Sequence, residues 1–127
     1  MEEQETILIV DDNSTNLRVL VDYLRGCGYK TLVATSGERA LTQLERNTPD
    51  LILLDVMMPG MDGPGTLQAL RALPGVGSVP VAFMTAKVQP QEVDQYRSLG
   101  ALDVIAKPFD PMQLPARVRD IWEAWHA

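Results

Sequence analysis

A chain of 127 residues is long enough to bury one hydrophobic core and too short for two ordinary domains. Its 46% hydrophobic and 22% charged content is that of a folded protein and excludes a disordered segment. A net charge of −6 argues against direct nucleic acid binding, because affinity for DNA depends on lysine and arginine neutralising phosphates.

The amino end, MEEQETILIV, is acidic where a secretory signal would be basic, and no apolar stretch approaches the roughly 18 residues of a membrane span. A cytoplasmic protein without membrane association is expected. Thr6–Val10 reads as a strand that runs into Asp11 and Asp12. Leu17, Leu20, Val21 and Leu24 then fall at i, i+3, i+4 and i+7, one stripe of a helix ending near Gly26 and Gly28. Cys27 is the only cysteine. It rules out an intrachain disulfide or multi-cysteine zinc site and reads as a small buried residue at the helix end.

A second strand is expected at Lys30–Ala34. Thr35 and Glu38 are spaced as a capping box for a helix that turns Ala40, Leu41 and Leu44 inward before Asn47 and Pro49 stop it. The third apolar run, Leu51–Leu54, has no polar interruption, as a central strand covered on both faces requires, and it ends at Asp55. The loop VMMPGMDG follows, in which some of Met57, Met58 and Met61 are expected to fill gaps. Leu67, Leu70 and Leu73 mark a short helix ended by Pro74 and Gly75.

Val79–Met84 reads as a fourth strand ending at Thr85, followed by a helix anchored by Val93, Tyr96 and Leu99. So few anchors predict the most mobile helix of the molecule. A fifth strand, Leu102–Ala106, ends at Lys107 and Pro108. Asp110 with Pro111 reads as an N-cap and first helical residue, and Leu114, Val118, Ile121, Trp122 and Trp125 form the stripe. Pro115 predicts a bend or a loosened first turn there. Gly63-Pro64-Gly65 and Gly75-Val76-Gly77 lack the context of a dinucleotide fingerprint and read as turns. His126, the only histidine, reads as a solvated side chain.

Five β–α units in series predict a parallel sheet with helices on both faces. Open α/β sheets bind ligands outside the carboxyl ends of their strands, which is where Asp11, Asp12, Asp55, Thr85 and Lys107 converge. Singly, each has an ordinary structural role as turn, cap or loop residue; together on one edge they form a phosphoryl and metal site. Adjacent carboxylates repel unless a hard cation intervenes, and oxygen ligands point to Mg2+ or Mn2+. A carboxylate beside such a metal can attack phosphorus, while an ammonium and a hydroxyl hold the oxygens of the transferred group. These residue types do not say which aspartate is the nucleophile.

The segments ILIVDDN at 7–13, DLILLDVMMPGMDG at 50–63, VAFMTAK at 81–87 and GALDVIAKPFDP at 100–111 resemble those of bacterial response-regulator receiver domains, over essentially the whole chain. The resemblance implies a flavodoxin-like (βα)5 doubly wound sheet of strand order 2-1-3-4-5, with residues 1–127 as a single receiver domain and no effector domain. Asp55, followed by Met-Met-Pro-Gly two positions on, would be the phosphoacceptor. Asp12 and Asp55 would ligate Mg2+ directly, Asp11 through water and Met57 through its backbone carbonyl. Thr85 would be the switch hydroxyl and Lys107 the phosphate-binding cation, with a cis bond to Pro108. The donor would be a phosphohistidine on a sensor histidine kinase or histidine phosphotransfer protein. Signalling would proceed by protein–protein contact, through the face of the fourth helix, fifth strand and fifth helix. The family's aromatic rotor three residues before the lysine is replaced here by Val104. A Mg2+-dependent phosphohydrolase with an aspartyl-phosphate intermediate is the alternative. It would carry a second aspartate two positions after the nucleophile, where this chain has Met57. Met1 with its polar lead-in reads as a natural start.

Overall fold

The computed structural model describes residues 5–125. Strands and helices alternate in chain order as β1 (Thr6–Val10), α1 (Ser14–Gly26), β2 (Lys30–Ala34), α2 (Gly37–Leu44), β3 (Leu51–Asp55), α3 (Gly63–Arg71), β4 (Val81–Thr85), α4 (Pro90–Ser98), β5 (Asp103–Ala106) and α5 (Leu114–Trp125). All pairings are parallel, in one sheet of order β2-β1-β3-β4-β5. This is the flavodoxin-like order, with its switch point between β1 and β3.

Alternation along the strands divides the core in two. Ile7, Ile9, Leu51, Leu53, Ala82, Met84 and Ile105 pack with α1 and α5 through Leu17, Leu20, Leu24, Leu114, Val118 and Ile121. Leu8, Val10, Ile52, Leu54, Val81, Phe83 and Val104 pack on the opposite side with Ala40, Leu44, Leu67, Leu70 and Tyr96 of α2, α3 and α4. Successive strand side chains point to opposite faces, so the same parity carried past each strand end sorts the edge residues. Asp11, Asp55 and Lys107 continue the α1/α5 side. Thr85 shares the parity of Phe83 and Val104, on the side that α4 covers.

Several local expectations are corrected at helix ends. The cap of α2 is Ser36, whose side chain accepts from Arg39 N–H at 3.1 Å, rather than the Thr35 and Glu38 pair; close packing of Gly37 on Thr66 and Met61 sets where the helix begins. Gly63-Pro64-Gly65 is the first turn of α3, not a separate turn, with Asp62 as N-cap accepting from Gly65 N–H at 2.8 Å. Asp110 does not cap α5. Its carbonyl accepts from Gln113 N–H at 3.0 Å and its side chain from Met112 N–H at 2.9 Å, closing a turn before the helix. Pro115 is therefore the second helical residue, where an N–H would have no intrahelical partner, and no bend is required.

Cys27 is exposed rather than buried, because α1 ends at Gly26 and the next residue lies beyond the inward stripe. The inward stripe of α5 ends at Ile121, leaving Trp122 half-buried and Trp125 exposed. Met58 is buried and Met57 exposed. β4 and β5 begin at Val81 and Asp103, later than the apolar runs that contain them. His126 lies outside the described residues. No helix among those residues is long and apolar enough to cross a membrane.

Candidate functional site

The carboxyl ends of β1, β3 and β5 bring four charged side chains together. Asp11 is fully buried and Asp55 nearly so, whereas Asp12 faces solvent. One carboxylate oxygen from each lies within 4.8 Å of the others. Lys107 bridges the buried pair: its Nζ donates to Asp11 Oδ2 at 3.1 Å and to Asp55 Oδ1 at 3.0 Å. Asp11 is further fixed by Asn13 N–H, which donates to its Oδ1 at 2.9 Å, and by the Asn16 side-chain amide, 3.4 Å from its Oδ2.

Burial is the largest influence on Asp55 and raises its pKa from 3.8 to about 6. The charge on Asp11 pushes the same way, while hydrogen bonds from Lys107 and the Met57 backbone oppose it. For Lys107, burial works against the charge, but hydrogen bonds to Asp55 and Asp11 outweigh it and raise the ammonium pKa. At neutral pH the lysine is therefore charged and Asp55 largely ionised. Three carboxylates against one ammonium leave the cluster with excess negative charge, and two of the carboxylates are removed from water. A hard divalent cation with oxygen ligands fits this donor set, with Asp12 on the open side where retained waters have room.

Thr85 stands at the end of the neighbouring strand and is 2% exposed. Its backbone carbonyl accepts from Lys107 N–H at 2.8 Å, tying the two strand ends together. Its hydroxyl accepts from Lys87 N–H at 3.0 Å, an interaction with the following loop rather than with Asp55. The Lys107–Pro108 peptide bond is cis. Val104 is buried among the core residues of the α4 side.

Three contributors escaped the sequence reading. Asn13 supplies its backbone N–H to Asp11 and caps α1, which a polar residue just before a helical stripe could have signalled. Asn16 supplies a side-chain amide and carries no sequence signal of that role. Gly63 permits α3 to begin against the end of β3: a Cβ there would meet the Asp55 carbonyl oxygen at 2.6 Å and Val56 Cα at 2.7 Å.

The sequence model of the response regulator receiver domain matches residues 7–119. The chain is 43% identical over 116 residues to the DNA-binding response regulator MtrA of Mycobacterium tuberculosis, covering 91% of this chain and 50% of the relative. It is 39% identical over 119 residues to the probable transcriptional regulator ycf27 of Porphyridium aerugineum, covering 94% of this chain and 48% of that one. The chain thus spans about half the length of these curated relatives. Among solved structures, the chemotaxis response regulator CheY4 of Vibrio cholerae superposes with a TM-score of 0.89 at 26% identity, over 94% of this chain and 99% of that one. The receiver domain of Francisella response regulator 1452 gives a TM-score of 0.86 at 27% identity, over 95% and 98%.

Proposed function

The chain belongs to the response regulator receiver domain family of two-component systems, and from that premise we propose that it takes a phosphoryl group onto Asp55 from a phosphohistidine of a sensor kinase or phosphotransfer protein. The observation that carries this reading is Lys107 Nζ held 3.0 Å from Asp55 and 3.1 Å from Asp11, with the three carboxylates clustered beside it. Asp12 and Asp55, with the Met57 carbonyl, would hold Mg2+ or Mn2+, and Asp11 would act through water. The metal, when bound, supplies charge neutralisation for the phosphoryl oxygens.

In this reading an Asp55 carboxylate oxygen forms the new bond to phosphorus as the bond to the donor imidazole nitrogen breaks, and the electron pair leaves with the imidazole. Lys107 holds a second phosphoryl oxygen as its charge develops. Thr85 turns its hydroxyl toward a third. The unit spans residues 1–127 and works in the cytoplasm, where such donors are charged. Its output is protein–protein contact through α4, β5 and α5. The excess of acidic residues weighs against these 127 residues touching DNA themselves.

Intact-mass measurement after incubation with Mg2+ and acetyl phosphate tests the proposal. One labile phosphoryl group per chain is expected, absent in Asp55→Asn. Turnover of many phosphoesters per chain would favour the phosphohydrolase, and undiminished labelling of Asp55→Asn would remove Asp55 as acceptor.

A further inference from the structure

β2 forms one end of the sheet. Lys30 N–H donates to the Glu5 carbonyl at 3.0 Å, and the Ala34 carbonyl accepts from Asp11 N–H at 3.1 Å. In register with Thr6–Val10, Lys30, Leu32 and Ala34 therefore address β1 through their backbone. Alternation turns the N–H and C=O groups of Thr31 and Val33 outward, along the edge of the sheet. An end strand with such a row of groups is a template for another strand, and the β-branched side chains of Thr31 and Val33 favour the extended state.

Two side chains cover this edge. Gln43, in the last turn of α2, donates from Nε2 to the Val33 carbonyl. Arg25, near the end of α1, donates from Nε to the Thr31 hydroxyl at 3.1 Å. They reach the strand from opposite sides of the sheet, since α2 and α1 pack on different faces. The backbone carbonyl of Gln43 accepts from Arg46 and Asn47 N–H at 3.0 and 2.9 Å, so the residue is itself held in the turn that ends α2. The Val33 carbonyl points outward in the plane of the sheet. A donor bonded to it therefore stands where an added strand would lie.

The edge is also complementary to itself. In an antiparallel pair of two β2 strands centred on Leu32, Thr31 of one copy meets Val33 of the other, and these residues exchange both N–H···O=C bonds. Lys30 falls opposite Ala34 rather than opposite a second Lys30, so no like charges meet across the pair. The exposed Val33 side chain, with 42% of its surface open, would be covered by Thr31 of the other copy. We propose that the β2 edge is a self-association surface for a second copy of this chain, and that the Gln43 side chain keeps it closed by occupying the Val33 carbonyl. This surface lies at the end of the sheet away from Thr85 and Lys107 and is independent of the phosphoryl chemistry.

Hydrogen exchange of the Thr31 and Val33 amides at low and high protein concentration, with sedimentation velocity on the same samples, tests this. In the unsubstituted protein both rates are expected to be independent of concentration. Gln43→Met keeps the length and helix propensity of the side chain but has no donor. In that variant a dimer should form at high concentration and both amides should slow about fivefold, the protection of a net hydrogen bond. Val33→Pro removes an outward N–H that an end strand can spare, and adding it to Gln43→Met should restore the monomer. If Gln43→Met fails to fold, Gln43→Ala should give the same dimer. Rates independent of concentration in the variant overturn the proposal, as does a dimer that leaves both amides unprotected or survives Val33→Pro. Slowing of both amides in the unsubstituted protein overturns the closure by Gln43.

Discussion

At the scale of single residues, Asp55, the proposed acceptor, carries a cost of up to about 3 kcal/mol in the metal-free fold, the free-energy equivalent of its raised pKa. Because its pKa rises from 3.8 to about 6 on folding, the folded chain holds the proton more tightly than the unfolded one. The penalty is absent at low pH, grows as pH rises through that interval and is constant above it. Asp55→Asn removes the ionised form. It should stabilise the protein in EDTA by up to about 3 kcal/mol at pH 7 and by about half of that at pH 5, as urea unfolding at the two pH values will show. An equal gain at both would contradict the assignment. Val104, β-branched and stiff about its first torsion, offers no large rotor, and on the proposed function transmission is expected to run through the Thr85 hydroxyl and its bond to Lys87, read as a change in hydrogen exchange at residues 86–92 when beryllofluoride is added as a phosphoryl mimic. Val104→Ala should leave the beryllofluoride response of residues 86–92 intact. Thr85→Ala should reduce it about fivefold without preventing phosphorylation. The reverse outcome would refute this division of roles.

At the scale of elements, the close start of α3 against β3 positions the loop that carries Met57. Gly63→Ala would place a Cβ 2.6 Å from the Asp55 carbonyl oxygen and 2.7 Å from Val56 Cα, and backbone cannot yield as a flexible side chain does. Despite the better helix propensity of alanine, it should destabilise the fold by about 1–3 kcal/mol, measured as a lowered Tm. Element order and the convergence of Asp11, Asp12, Asp55 and Lys107 were legible because largely apolar runs each ended at a polar residue. Helix starts were less so. Asp110-Pro111 carries a valid cap signal that the chain uses for a separate turn, and Ser36 competed with Thr35 for one cap. Cys27 failed because a stripe predicts burial only while the helix continues. The Asn16 and Gln43 contacts bridge separate elements, and no local pattern encodes them.

At the scale of the whole molecule, strand order makes the site. Placing β1 between β2 and β3 sets Asp11 and Asp12 beside Asp55, and two strands further Lys107 comes from β5 to the same face. The sheet is buried through β3 and β4, so the charged cluster rests on the edge of a closely packed core. The central claim is that this edge directs a phosphoryl group to Asp55. The most direct measurement is borohydride reduction of the protein after incubation with Mg2+ and acetyl phosphate. Hydride converts an aspartyl phosphate to homoserine with loss of phosphate, and peptide mass sequencing then locates the residue. Homoserine at position 55 alone is the expected result; homoserine at position 11 or 12, or at none, would contradict the account.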